Sequence, residues 1–314
     1  MDSYQETGME KKWDVLGFGA VAVDDLVYVD RYPMPDTKVK VLDQVRQGGG
    51  LVGTALVAAS RLGARAAYAG ILGDDDLSRY TLDEFTREGV DCSSVLFRPD
   101  ARPIHALIIV DSTNGLRSIL PSFVGVQWRR PDEIPAALIA ACRVLLVDHH
   151  AVEGGLHAIR LAHQYGVQVV ADVERETEPL GAELASAADH LIVSVGYAQT
   201  KTGITDPAEG VRVLHNGRAC TAVTAGEQGS WYMEKTSSEV IHQPAYKVKV
   251  VDTNGCGDVF HGAYAAMLVR GEPVKRAMKI AAAAAALKAT KPGGRAGCPT
   301  LAEAISCIDR AQNH

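Results

Sequence analysis

Apolar runs and amphipathic stretches alternate along most of this 314-residue chain. Val15 to Val23 is almost wholly apolar and predicts a buried strand, with Leu26 to Val29 continuing in extended style. Residues 37–47 (TKVKVLDQVRQ) alternate in character, which predicts a further extended segment exposed on one face. Thr54 to Leu62 reads as a helix closed by Gly63. A strand–helix rhythm follows, in which strand Ala66–Leu72 leads through Gly73-Asp74-Asp75-Asp76 to helix Leu77–Glu88. Further on, helix 132–141 leads to strand 143–148, helix 152–165 to strand 167–171, helix 179–187 to strand 190–193, and helix 206–215 to strand 219–224. Residues 104–111 and 116–120 predict a hairpin around Ser112-Thr113-Asn114-Gly115, Asn-Gly being a strong turn signal. Tyr246 to Val251 predicts a last strand, Asp258 leads an apolar helix to Leu268, and residues 273–289 predict another helix. This alternation implies an α/β architecture, a mostly parallel sheet covered by helices on both faces.

Composition narrows the picture. Hydrophobic residues make up 47% and charged residues 22%, which suits a packed core and argues against disorder. The length allows one large α/β domain, taken here as residues 13–314 behind a loose terminus, 1–12. Lys+Arg 32 against Asp+Glu 38 gives a formal charge of −6 with no basic block, so no nucleic-acid partner is expected. No run approaches the ~18 uncharged apolar residues of a membrane span, and the start, MDSYQETGMEKKWD, lacks a signal-peptide core. No membrane partner is expected either. The cysteines (92, 142, 220, 256, 298 and 307) show no CxxC pairing and no zinc spacing, which fits reduced thiols in a soluble cytoplasmic protein.

The chemistry concentrates at residues 251–263, VDTNGCGDVFHGA. Asn254-Gly255-Cys256-Gly257 places small residues between a predicted strand and a helix. Exposed amides and the positive end of the helix dipole make such a turn an anion site. Asp258 in the first helical turn would take a proton from an incoming hydroxyl. D-T-x-G-x-G-D before an apolar helix resembles the C-terminal signature of the phosphofructokinase B, or ribokinase-like, carbohydrate kinases, where Ala is commoner than Cys256. The resemblance covers the chain from about Trp13 onward. It implies a three-layer α/β/α sandwich with a small β-sheet lid, formed here by about residues 25–47 and 104–120. It also implies transfer of the γ-phosphoryl group of ATP to a sugar hydroxyl, with Mg2+ and, in many members, K+.

Residue by residue, the resemblance makes Asp258 the base and the amides of Gly255, Cys256 and Gly257 the holders of phosphoryl charge. Gly49 and Gly50 match the N-terminal signature that lies against the sugar, and Asp24, rather than Asp25, matches the early Asp that grips it. Thr54 stands where the family usually places an Asn. Arg117 falls where ketohexokinase-like members put a substrate-contacting Arg, an exposed strand Arg being the alternative, and His105 lies on the same hairpin. T-x-G-x-x-G at Thr224, Gly226 and Gly229 matches a turn that lies against nucleotide phosphates and ribose. Small side chains at 281–286, Ala285 among them, would admit adenine or else serve tight helix packing. Carbonyls near Asp252, Thr253 and Gly294 would provide a monovalent-cation site. Asp172 and Glu174, at a strand end, are candidates for indirect Mg2+ contacts.

Other features sort by contrast. Gly17-x-Gly19-x-x-Ala22 fits a dinucleotide fingerprint, but no helix pattern follows it. Gly48 to Gly53 is a second such fit and lacks a buried strand before it. Asp74, Asp75 and Asp76 read as helix capping. His149 and His150, as strand neighbours, would point to opposite faces and so cannot share a metal. Cys256 sits at a helix start, where thiolate is favoured. The family's N-x-x-E motif is replaced by S-V-G-Y, with Ser194 and Tyr197 in its key places. A-D-V-E at 171–174 and the stretch around KPGGRAG look most like the ketohexokinase and sulfofructose kinase branch, although the strand end that would carry a sulfonate-gripping Arg holds His149 and His150. A nucleoside kinase on the same scaffold, or a non-catalytic sugar sensor, is the alternative function, and a dehydrogenase a remote third. Lid strands pair between subunits in many members, which points to a homodimer.

Overall fold

The computed structural model describes residues 11–113, 116–176, 180–235 and 237–312. The expected loose terminus at residues 1–10, the turn residues Asn114 and Gly115, residue 179 of the predicted helix 179–187, and residues 313–314 lie outside the described residues.

The strands are β1 (Trp13–Phe18), β2 (Ala22–Val29), β3 (Val41–Gly49), β4 (Ala66–Tyr68), β5 (Ile71–Leu72), β6 (Leu96–Phe97) and β7 (Ile104–Asp111). After them come β8 (Arg117–Ser122), β9 (Cys142–Asp148), β10 (Gln168–Asp172), β11 (His190–Ser194), β12 (Cys220–Thr224), β13 (Ser230–Glu234) and β14 (Ile241–Gln243). The helices are α1 (Leu51–Arg61), α2 (Asp76–Arg87), α3 (Ala136–Ala140), α4 (Val152–Gln164) and α5 (Leu180–Ala187). Then follow α6 (Val195–Thr202), α7 (Pro207–Leu214), α8 (Cys256–Val269), α9 (Val274–Lys288) and α10 (Leu301–Gln312).

The main sheet has the order β14-β13-β12-β11-β10-β9-β1-β4. It is parallel from β12 to β4, and only β13 and β14 pair antiparallel. Both faces are buried because alternate side chains feed two separate cores. Val15, Val144 and Leu146 pack with Leu56, Phe260, Tyr264 and Met278 on one side. Leu16, Leu145 and Val147 pack with Leu156, Ile159 and Leu184 on the other. The three layers follow from this alternation. A second sheet, β3-β2-β7-β8, stands apart from the first. No helix among the described residues is long and apolar enough to cross a membrane.

Several expectations change. The apolar run Val15–Val23 is two strands in two sheets, because the buried Asp148 carboxylate accepts the Ala20 amide at 2.6 Å and turns the chain between them. Helix 132–141 is broken at Pro135 into a 3-10 turn (Pro131–Glu133) and the short α3. Tyr246–Val251 forms no strand; the Val251 and Asp252 amides instead reach the Ala289 carbonyl at 2.8 and 3.1 Å. The sheet edge belongs to the β13–β14 hairpin, which the pattern did not predict; nor did it predict α6 and α10.

Candidate active site

The turn before α8 is built by glycine and one carboxylate. Gly255 has φ 76°, and a Cβ there would lie 2.6 Å from the Gly294 carbonyl oxygen, so only glycine fits. Asp252 holds the turn through both oxygens: Oδ1 accepts from the Asn254 amide (2.8 Å) and Oδ2 from the Gly293 amide (2.8 Å). Arg117 of β8 reaches Asp252 Oδ1 at 3.1 Å, joining the second sheet to this turn. The Cys256 amide is engaged by the Thr253 carbonyl at 3.3 Å, so it is not free as expected. The Gly255 and Gly257 amides have no acceptor among the described residues. Gly257 is exposed, and a Cβ added there would meet nothing. The turn is open.

Asp258, the third residue of α8, is half-buried and makes no hydrogen bond to another described residue. Burial pushes its carboxyl well above the usual range; Asp172 and Glu174 push it further, and Arg295 opposes them. Such a carboxylate binds a proton readily. The same burial pushes the Cys256 thiol up to about 11, with Lys288 opposing. Burial therefore acts against the expected thiolate.

The second glycine turn precedes α1. Gly50 has φ 84°, and a Cβ there would approach Val21 Cα to 2.6 Å. Beneath it lies Arg295, a buried residue whose importance the sequence reading missed. Its Nη2 donates to the Gly49 carbonyl (2.6 Å), its Nε to Thr54 Oγ1 (3.4 Å), and its Nη1 pairs with Glu84. Thr54 is 1% exposed, so it packs under the turn and cannot contact a ligand as expected. Asp24 is buried beside Gly49 yet forms no hydrogen bond among the described residues. Burial pushes its carboxyl up to about 6; Arg295 opposes, and Glu84 and Asp25 add to the rise. Asp25 is instead tied to Arg46 (2.7 Å) and His105 (2.8 Å). Strand register places Asp24 in a row with Ala106 and Gln47, and Arg117 in a row with Val110 and Tyr28, on one face of the second sheet. His105 lies on the opposite face with Asp25. The expected grouping of His105 with Asp24 and Arg117 does not form.

The strand ends supply the remaining groups. Ser194 caps α6, its Oγ accepting from the Tyr197 amide at 3.1 Å. Tyr197 donates to Glu176 at 2.7 Å, so a carboxylate does stand beside this helix, contributed by the segment after β10. Thr224 bonds the Val193 carbonyl (3.3 Å), and Gly226 and Gly229 take φ 56° and 92° in the turn that follows. Ala281–Ala284 are core residues, while Ala285 and Ala286 are half-exposed. Asp172 is buried against His261 (3.3 Å) and Glu174 is exposed. Asp75 caps α2 by accepting from the Ser78 amide. The His149 and His150 rings lie 4.3 Å apart instead of on opposite faces, because β9 ends at Asp148 and strand alternation no longer applies.

No three His, Cys, Asp or Glu side chains among the described residues are placed to hold a metal directly. Asp172, Glu174 and Asp258 nevertheless interact closely enough for one carboxylate to raise another. Hard oxygen donors of this kind suit a hydrated Mg2+ held through water. The monovalent-cation site fares differently. The Asp252 carbonyl already accepts from Lys288 Nζ at 2.8 Å, and the Thr253 carbonyl from the Cys256 amide, so these residues do not fit that cation.

The pfkB family carbohydrate kinase profile matches residues 14–301. The chain is 26% identical over 313 residues to a ribokinase from Haemophilus influenzae, covering 96% of this chain and 100% of that one. It is 27% identical over 310 residues to a bifunctional ribokinase/ribose-5-phosphate isomerase A from Fructilactobacillus sanfranciscensis, spanning 95% of this chain and 56% of that protein. A crystal structure of a candidate ribokinase from Agrobacterium tumefaciens superposes with TM-score 0.88 at 30% identity, covering 96% of this chain and 99% of that one. An Escherichia coli ribokinase II candidate, solved with ATP and Mg2+, shares the fold with TM-score 0.79 at 20% identity, over 95% and 99% of the two chains.

Proposed function

Given that the chain belongs to the pfkB family of carbohydrate kinases, we propose that it transfers the γ-phosphoryl group of ATP to a hydroxyl of a small free sugar, ketohexose-like or related. One observation carries this reading: a half-buried carboxylate, Asp258, with no hydrogen-bond or ion-pair partner among the described residues, stands one residue after an amide at Gly257 that is likewise without an acceptor among them. A hydroxyl brought to Asp258 loses its proton to Oδ as it attacks. The Gly255 and Gly257 amides and the start of α8 stabilise the charge that develops on the transferred group. Asp24, whose carboxylate lies against Gly49, accepts hydrogen bonds from sugar hydroxyls. Arg117 reaches from the second sheet to the turn before α8, where its contact with Asp252 closes the site. Acting as a lid, the second sheet excludes water that would otherwise hydrolyse ATP.

Thr224, Gly226 and Gly229 lie against the nucleotide, with Ser194 at the phosphate end and Ala285 beside adenine. ATP and Mg2+ are the cofactors of this reading, supported by the ligands of the E. coli structure. Asp172 and Glu174 would hold Mg2+ through water, where it would supply positive charge against the phosphates. The exposed Val41, Val45, Leu107, Ile119 and Leu120 of the lid suit pairing with a second copy, and the cytoplasm supplies ATP. The test is ADP release with ATP and Mg2+ over a panel of pentoses, ketohexoses and nucleosides. Release with one sugar class supports the proposal, release with nucleosides alone selects the nucleoside kinase, and tight sugar binding without ADP release selects the sensor.

A further inference from the structure

Lys288, the last residue of α9, is a cation buried at the foot of the anion turn. Its side chain is wholly buried, and its Nζ donates to the Asp252 carbonyl at 2.8 Å. That carbonyl belongs to the residue whose carboxylate anchors the Asn254 and Gly293 amides. An ammonium carries three N–H donors and a full charge, and a protein interior holds such a charge only where oxygens answer it. The C-terminal end of α9 and the backbone carbonyls of this crossing supply a field that favours a cation. The same oxygens are those from which a bound monovalent ion was expected, at Asp252, Thr253 and Gly294. One now carries Lys288 and another the Cys256 amide. A second cation placed here would face the ammonium across a shared carbonyl, and like charges at that range repel strongly in a poorly hydrated setting.

We propose that the Lys288 ammonium takes the place of the monovalent cation, making the turn before α8 independent of K+. Lys288 acts as a positioning residue: it draws the Asp252 carbonyl toward α9 and so sets the direction of the amides at Gly255 and Gly257. The inference rests on the kinase reading for its activity readout, but its stability readout does not.

The experiment starts with ligand-free protein in buffer whose sole monovalent cation is tetramethylammonium. Thermal unfolding of the unaltered chain should not respond to added K+ beyond its ionic strength. A saturable rise with K+ alone overturns the proposal, because a ligand that binds the native state must stabilise it. Lys288→Ala empties the position and frees the carbonyl. It should gain K+-specific stability, while turnover and ADP affinity fall by about tenfold or more and recover with K+ or ammonium, the size of an ordinary effector coupling. A folded Lys288→Ala that K+ neither stabilises nor reactivates overturns the proposal. Lys288→Met fills the space without charge and should lose activity that K+ does not restore; wild-type behaviour in this variant also overturns it. Failure of every acceptor to release ADP would count against the kinase reading, and the two unfolding measurements would still decide the role of Lys288.

Discussion

Two helices of this protein begin alike and end up doing different things. Both α1 and α8 start after a glycine of positive φ, with no side-chain cap. In front of α1 the backbone is closed: the Gly53 amide donates to the Ala20 carbonyl at 3.0 Å, and Arg295 lies beneath the Gly49 carbonyl. In front of α8 no described residue stands over Gly257, and the first turn carries Asp258. Glycine at α1 therefore serves close packing of chain on chain, whereas glycine at α8 leaves amides open to a ligand. A glycine-rich turn before an apolar helix is thus one signal with two uses, and what faces the turn decides between them.

The largest effect should come at the open turn. Asp258→Asn should lower turnover by about two to four orders of magnitude, a general-base effect, with the unfolding midpoint held or raised. Steady-state ADP release and thermal unfolding measure both, and near-normal phosphorylation would end the contrast between the two helix starts. At the braced turn the cost should fall on stability. Arg295→Met leaves Glu84 without its partner and should cost about 3–5 kcal/mol in urea unfolding, most of it recovered when Glu84→Gln is added. No loss in the single variant would show that the turn before α1 does not depend on this pair.

Asp24 sharpens the comparison through pH. Its folded carboxyl is pushed up to about 6 from an ordinary 3.8, so the folded state holds the proton more tightly. Stability from this group is full below the ordinary value and is lost as pH rises from 3.8 through about 6. Asp24→Asn should therefore raise unfolding stability at neutral pH by roughly 2–3 kcal/mol, a gain that fades as the solution is acidified. The same change should weaken sugar binding by about tenfold to a hundredfold, the loss of a hydrogen bond to charge. Denaturation at two pH values, set beside KM for the sugar, checks the trade. The smallest effect belongs to Arg117→Ala. Its ion pair with Asp252 is partly exposed, so stability should fall by less than about 1 kcal/mol, and less still at high salt.

Much of this was readable from residue order. The apolar runs around β1, β9, β10, β11 and β12 predict a parallel sheet because strands buried on both faces leave little polar alternation. The turn at Asn254–Gly257 was readable because its small residues and Asp258 are consecutive. Tyr246–Val251 misled because a β-branched run needs a neighbouring strand, and pattern along a chain does not record neighbours. Thr54 misled in the same way: its spacing after the glycines is right, but Arg295, 241 residues later, occupies its hydroxyl. His105 misled because distance along a strand says nothing about face until register is known.

The order of residues by itself determined the layered α/β plan and the glycine turn with its acid, since each depends on neighbours in the chain and on periods of two or nearly four. Tertiary structure alone decided which glycine turn lies open, that Asp24 stays without a partner among the described residues while Asp25 is bound, and that Lys288 reaches the Asp252 carbonyl. Those outcomes turn on charges brought together from distant segments. Their energies depend on separation and exclusion of water, and neither quantity exists until the chain has folded.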